Sequence, residues 1–269
     1  MTDIRVAVAG AAGRMGRALL GAAAELDGLV CSAALEHPGH AALGMDSGLM
    51  AGCGANGIDL RDDREACASA SDVWIEFTGP EPTLAHLESC VRQKTAVVIG
   101  TTGFDDAGKA AIARASEQIP IVFAPNMSVG VNATMKLIEM ATQILGDDAD
   151  IEIIEAHHRH KVDAPSGTAV RMGEIVAETL GRDLREHAVY GREGQTGPRA
   201  RSAIGFETIR GGDIVGEHTV MFAIDGERLE ITHRSHTRAN FAYGAMRAAR
   251  WVVGQDTGLF SMNDVLGLA

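Results

Sequence analysis

Between Glu155 and Thr168 the chain reads Glu-Ala-His-His-Arg-His-Lys-Val-Asp-Ala-Pro-Ser-Gly-Thr, which crowds His157, His158, Arg159, His160 and Lys161 together. The formal net charge of the whole chain is -12. Adjacent basic and titratable groups repel one another when protonated, so a merely solvated face has no need of them in a row. They point instead to an anionic ligand, or to a proton that must be delivered. Histidine titrates near neutrality and is suited to general acid–base work. Ser166, Gly167 and Thr168 then supply hydroxyls and open backbone N–H groups at a helix start, a ready place for a carboxylate or phosphate. The bland alternative is a basic loop on an acidic protein, with Ser166 as an ordinary N-cap.

The flanking residues must position this run. Asp150-Ile-Glu-Ile-Ile-Glu-Ala156 is β-branched and reads as a strand. Asp163 to Thr168 is turn chemistry leading into a helical pattern from Ala169 to Leu180. The basic run therefore sits at the carboxyl end of a strand, facing a helix start.

A second, independent signal lies near the N-terminus. Ile4 to Ala9 is a short apolar strand, Gly10-Ala-Ala-Gly-Arg-Met-Gly16 follows at once, and a helical run covers Arg17 to Glu25. The spacing is G-x-x-G-x-x-G, a variant of the dinucleotide-binding turn with Ala12 in place of a glycine. Gly10 permits the tight turn, Gly13 lets the backbone reach a pyrophosphate, and Gly16 lets the helix pack on the strand. Glu36 ends the next strand, Leu29 to Leu35, where an acid can hydrogen-bond an adenosine ribose. Its plain alternative is a solvated loop carboxylate.

Composition agrees with a two-domain enzyme: 269 residues exceed one typical core, and 46% hydrophobic content leaves ample apolar surface to bury. No apolar stretch approaches membrane-spanning length, and the N-terminus has no charged-then-apolar leader, so a soluble, unexported protein is expected. Cys31, Cys53, Cys67 and Cys90 form no C-x-x-C pair and read as reduced cysteines. The negative charge suits neither nucleic acid nor an anionic membrane.

Through the first half, apolar strands at 72–77, 95–99 and 119–124 alternate with helical patterns around 83–92 and 106–118. That alternation predicts a Rossmann-like, doubly wound parallel sheet. The turns Thr78-Gly79-Pro80, Gly100-Thr-Thr-Gly103 and Pro125-Asn-Met-Ser128 end its strands and should border a ligand. From Val129 the period changes. After a helix at about 132–145 and the basic run come three long strand-like stretches, 203–210, 217–223 and 227–235. Gly211-Gly212 and Asp225-Gly226 between them read as hairpin-like turns, so this second α+β domain is expected to be antiparallel. The stretch 186–201 reads as the mobile loop. The closing segment 239–254 is helical, with Ala242, Ala245, Met246, Ala249 and Val253 in one stripe, and pattern alone assigns it to neither domain.

Four stretches carry a resemblance: Gly10 to Arg17, Gly100 to Gly103, Glu155 to Thr168, and Gly212-Asp-Ile-Val-Gly-Glu-His218. They resemble the signatures of the 4-hydroxy-tetrahydrodipicolinate reductase family, also called dihydrodipicolinate reductase. The histidine-lysine run is the specific element. The resemblance implies a cytoplasmic homotetramer in the diaminopimelate route to lysine, using NADH or NADPH to reduce a cyclic unsaturated imine dicarboxylate. It implies a dinucleotide domain at 1–128 completed by about 238–269, and a substrate-binding and oligomerisation domain at 129–237 with a mixed or antiparallel sheet. Carried over by motif, Gly10, Ala11, Ala12, Gly13, Arg14 and Met15 hold the pyrophosphate. Glu36 with His37 takes the adenosine ribose, and Gly100, Thr101, Thr102, Ala124, Pro125, Asn126 and Met127 take the nicotinamide side. His157 is then the proton donor, Lys161 a second acid and carboxylate partner, and His158, Gly167 and Thr168 bind substrate carboxylates. No metal is implied.

One departure bears on the cofactor. Where many members carry an arginine after the ribose-binding acid, this chain has His37 and then Pro38. A carboxylate at Glu36 accepts hydrogen bonds from both ribose hydroxyls of NADH but repels the 2′-phosphate of NADPH unless a cation stands close. NADH is therefore expected to serve at least as well as NADPH, and because Arg14 and Arg17 can compensate from the glycine turn, the preference is expected to be modest and not an exclusion of NADPH. Two other classes fit part of the chain. A metal-dependent hydrolase could use His158, His160 and Asp163, although Arg159 and Lys161 oppose a divalent ion. A non-catalytic dinucleotide sensor explains the glycine turn and leaves the basic run without a role.

Overall fold

The structure, a computed structural model, describes residues 2–268. Two compact units divide the chain, Met1–Val129 with Arg238–Ala269, and Gly130–Thr237. The first segment runs β1 (Ile4–Ala9), α1 (Arg14–Glu25), β2 (Leu29–Leu35), α2 (Ser47–Ala51), β3 (Leu60–Arg61), α3 (Arg64–Ser69), β4 (Val73–Glu76), α4 (Pro80–Gln93), β5 (Ala96–Ile99), α5 (Asp106–Ser116) and β6 (Pro120–Phe123). Val73, Trp74, Ile75, Val97, Val98 and Ile99 are all essentially inaccessible. Successive strand residues point to opposite faces. Val6, Val8, Val73, Ile75, Val98 and Val122 therefore join one apolar cluster with α1, while Ala7, Ala9, Trp74, Val97, Ile99 and Ile121 join another with α3, α4 and α5. A sheet buried on both faces is the parallel kind, and its strands read as unbroken apolar runs for that reason.

The second unit contains nearly all of α6 (Val129–Leu145), followed by β7 (Asp150–His157), α7 (Gly167–Thr179), α8 (Leu184–His187), β8 (Ala188–Tyr190), β9 (Ile204–Arg210), β10 (Gly216–Ile224) and β11 (Glu227–Ser235). Its sheet has the order β11-β10-β7-β9-β8. β10 and β11 form the expected hairpin, with Ile224 opposite Glu227 across Asp225-Gly226. The expected hairpin at Gly211-Gly212 does not exist: β7 lies between β9 and β10, parallel to the first and antiparallel to the second. The sheet is mixed, and the glycine pair only reverses the chain over β7. The expected loop at 186–201 also contributes the end of α8 and the strand β8, which pairs with β9. Beyond β8, Arg192 and Arg199 ion-pair with Glu152 on β7.

On one face of this sheet a row changes character along its length. Ile151, Ile153, Ile204, Phe206, Val220 and Phe222 pack with Met172 and Val176 of α7. Two residues further along the same rows come Glu155 and His157 on β7, Thr208 and Arg210 on β9, and His218 on β10. Cross-strand register sets Glu155 beside both His218 and Thr208, and His157 beside Arg210.

The chain then returns to the first unit through α9 (Ala239–Val252), β12 (Gly258–Phe260) and α10 (Met262–Leu266). β12 pairs in parallel with β6 and completes a seven-stranded sheet of order β12-β6-β5-β4-β1-β2-β3. The apolar stripe of α9 fills the core on the α1 face, with Ala242, Ala245, Met246 and Ala249 fully buried.

Candidate active site

In the first unit the glycine turn links β1 to α1. Gly10 adopts φ +61°, and a Cβ there would stand 2.9 Å from the Thr78 methyl group. A Cβ on Gly16 would fall 2.2 Å from the Gly10 carbonyl oxygen, so α1 can lie this close to the turn only without a side chain. Gly13 is the N-cap of α1, and no side chain caps the helix start. The amides of Arg14 and Met15 are thus left without intrahelical acceptors at the positive end of the helix dipole.

Glu36 lies directly beside this turn. It is buried, and its Oε1 accepts from the Ala12 amide at 2.8 Å while Oε2 accepts from the His37 amide at 3.2 Å. Arg14 and Arg17 are exposed, and Arg17 donates to the Ala12 carbonyl at 3.0 Å. Helix amides for a pyrophosphate and a carboxylate for ribose hydroxyls fit a nicotinamide dinucleotide.

The three strand-end turns follow the adjacent strands β4, β5 and β6. Gly100 is crowded by Phe77, whose ring would lie 2.2 Å from a Cβ. Thr101 is buried and accepts from Thr83 Oγ1 at 3.0 Å, whereas Thr102 is exposed. Ala124 is buried and its amide donates to the Ile99 carbonyl, while Pro125 is exposed and Asn126 half-buried. Met127 differs from its neighbours. Its side chain is 1% exposed in the core, and its carbonyl packs on Gly244 of α9.

In the second unit the polar end of the sheet row meets the start of α7. Ser166 caps that helix, its Oγ accepting from the Ala169 amide at 3.2 Å, and Gly167 and Thr168 form its first turn. His157 Nδ1 lies 2.6 Å from Glu155 Oε2. Burial pushes the His157 imidazolium below its ordinary range, against the upward pull of Glu155. Burial also pushes the Glu155 carboxyl up, but Arg210, His157 and the Ser166 amide outweigh it and hold the group at about 2. His218, whose Nε2 is 2.8 Å from Ser166 Oγ, is pushed by burial down to about 4. Lys161 Nζ is paired with Asp163 at 2.8 Å. His158 is half-buried, and its Nδ1 has no hydrogen-bond partner among the described residues; Arg159 and His160 are exposed.

Residues 4–127 match the N-terminal family of dihydrodipicolinate reductase, and residues 130–266 match its C-terminal family. The chain belongs to the dihydrodipicolinate reductase family. Over 268 residues it is 59% identical to the 4-hydroxy-tetrahydrodipicolinate reductase of Neisseria meningitidis serogroup C (strain 053442), covering 100% of this chain and 99% of that one. The enzyme of the same name from Neisseria gonorrhoeae (strain NCCP11945) is 58% identical over the same shares. A solved dipicolinate-bound dihydrodipicolinate reductase from Paenisporosarcina sp. TG-14 matches with TM-score 0.78 and 25% identity, covering 97% of this chain and 98% of that one. An amine dehydrogenase from Mycobacterium smegmatis, at TM-score 0.60 and 11% identity over 97% of this chain and 96% of that one, shares the fold alone.

Sequence reasoning gave no role in this reductase site to Glu155, Arg210 or His218. Glu155 had a local signal, because residues two apart on a strand share a face. Arg210 had none, and His218 stood only as the last residue of the Gly212 to His218 stretch that carries the resemblance, with no role given; the register of β9 and β10 on β7 brings both to the site.

Proposed function

We propose that the chain catalyses the NAD(P)H-dependent reduction of 4-hydroxy-tetrahydrodipicolinate to tetrahydrodipicolinate, in the diaminopimelate route to lysine and in the cytoplasm. The observation that carries the reading is the pairing, in one unit, of a carboxylate-backed histidine with an anion-accepting helix start. Gly10 to Met15 would hold the pyrophosphate, Glu36 the adenosine ribose, and Gly100 to Thr102 with Ala124 to Asn126 the nicotinamide side. Met127 contributes by anchoring that last turn in the core. When bound, the nicotinamide supplies the hydride.

His157 gives a proton to the reduced substrate, a step worth about 10²–10⁴-fold in rate. Lys161 and the α7 start, through Gly167 and Thr168, neutralise carboxylates that this acidic protein would otherwise repel. His158 adds a buried ring nitrogen, Nδ1, that has no hydrogen-bond partner among the described residues. NADH is expected to serve at least as well as NADPH.

The hydrolase reading fares worse. The Asp163 carboxylate it requires is already paired with Lys161. Among the described residues, the cluster with metal-type ligand atoms close together is Glu36, His37 and His40, outside the basic run.

A coupled assay with enzymatically generated substrate tests the proposal: oxidation of added NADH or NADPH must depend on that substrate. A homotetramer is also proposed, with copies covering the exposed Ile209 and Leu229 of the second sheet. A monomeric mass by light scattering at micromolar concentration would remove that part.

A further inference from the structure

Glu155 is a carboxylate with almost no access to water, its side chain 1% exposed. An isolated buried carboxylate is costly, so its partners define what it is for. Oε1 accepts from Arg210 Nη2 at 2.8 Å, the Ser166 amide at 3.0 Å and Thr208 Oγ1 at 3.4 Å. Oε2 accepts from Arg210 Nη1 at 2.8 Å and faces His157 Nδ1 at 2.6 Å. Arg210 grips both oxygens in a fork and also donates to the Asp163 carbonyl at 2.6 Å. One guanidinium thus fixes the carboxylate and the turn that carries the chain from β7 to α7.

We propose that Glu155, locked by Arg210, is the positioning residue for His157, assigning the proton on Nδ1 to the protein and leaving Nε2 as the atom that gives a proton to the substrate. The inference rests on His157 being the proton donor. An ionised carboxylate only accepts, so Nδ1 must carry hydrogen in both charge states of the ring. The protonated ring therefore has one transferable proton, on Nε2. In the transfer the Nε2–H bond breaks, the electron-rich substrate atom gains the proton, and the imidazolium becomes a neutral ring that solvent recharges. Gly216 keeps that atom accessible, since a Cβ there would stand 3.1 Å from Nε2.

The groups facing the ring come from four elements. Glu155 lies on the same strand, Lys161 on the following turn, Arg210 at the end of β9, and His218 on β10 with its ring 5.1 Å away. Glu155 alone among them favours the imidazolium. Burial, Lys161 and Arg210 all oppose it, and His218 is kept neutral. Without the Glu155 charge, His157 would hold its proton only at lower pH.

The test is Glu155→Gln, which keeps the shape and removes the charge. The expected result is a fall in kcat of about 10–100-fold at pH 8, with substrate KM and the NADH dissociation constant within about twofold of the unmodified enzyme. The alkaline limb of the kcat profile should move down by about one pH unit, so the deficit shrinks towards pH 6. A profile superimposable on that of the unmodified protein overturns the proposal. His157→Gln separates the two ideas: if it keeps full activity, the acid assignment itself falls, whereas a slow His157→Gln beside a normal Glu155→Gln removes only the positioning role. Should Glu155→Gln fail to fold, histidine-selective ¹⁵N spectra of the unmodified protein decide, with the His157 signal assigned by its loss in His157→Gln. A neutral ring protonated on Nδ1 is expected, and one protonated on Nε2 refutes the dyad.

Discussion

Each unit places a buried glutamate at or near the carboxyl end of a strand and beside a helix start, that of the preceding helix α1 for Glu36 and that of the following helix α7 for Glu155. Glu36 follows β2 and meets the glycine turn before α1; Glu155 lies two residues before the end of β7 and meets the start of α7. Their bonding differs. Glu36 accepts two backbone amides, one on each oxygen, and no side-chain cation among the described residues. Glu155 carries a forked arginine, an amide, a threonine hydroxyl and a histidine. A carboxylate held by amides alone can exchange them for ligand hydroxyls at small cost, whereas one neutralised by a fixed guanidinium is committed to the protein. The first is suited to binding, the second to holding another side chain in place.

The strongest way to break this comparison is kinetic. His157→Gln and Lys161→Ala should each lower kcat by about 10²–10⁴-fold while NADH affinity stays within about twofold, because both lie in the second unit. If either variant kept more than about half of the normal kcat, its chemical role would be gone. Stability comes next. Glu155→Ala strands the Arg210 charge and should cost about 3 kcal/mol in chemical denaturation, whereas Glu36→Ala should cost about 1 kcal/mol or less and instead raise the NADH dissociation constant. Equal losses of stability would erase the distinction.

The pH dependence of stability sharpens it further. His218 has a folded value of about 4 against 6.5 for the free side chain, so the unfolded chain binds the extra proton between those values. Stability contributed by neutral His218 is therefore complete above about pH 6.5 and lost as pH falls towards 4, by no more than about 3 kcal/mol. His218→Asn should flatten the acid side of a melting-temperature profile; an unchanged slope would contradict the burial argument. The smallest effect concerns the cofactor. NADH should be favoured over NADPH by about fivefold in kcat/KM at pH 8, roughly 1 kcal/mol, and His37→Arg should move the preference towards NADPH. A clear NADPH preference in the unmodified protein would shift the decisive charge to Arg14 and Arg17.

Much of this was legible in the chain because it is local. The glycine turn, the acid at Glu36 and the strand–turn–helix around Glu155 to Thr168 each lie within a short window, and apolar runs of strand length announced the parallel sheet. The misreadings were failures of pairing. Gly211-Gly212 has the chemistry of a reversal, yet turn chemistry does not say which strand lies alongside, and β7 took the place between β9 and β10. Arg210 was invisible for the same reason. Register is fixed by burial across the whole sheet, which placed Phe206, Thr208 and Arg210 in line with Ile153, Glu155 and His157. The short strands β3 and β12 carried too few residues to show a period.

The return of the chain to the first unit has a consequence for biosynthesis. The core on the α1 face is closed by Ala242, Ala245, Met246, Ala248, Ala249, Val252, Met262 and Val265, and the sheet gains its last edge strand from β12. Every one of these residues leaves the ribosome after the whole second unit. The nascent nucleotide-binding sheet must therefore wait with one apolar face uncovered and β6 unpaired on one edge, while the segment made later is already able to fold. Such an interval exposes an apolar face and an unpaired strand edge, surfaces of the kind that chaperones bind.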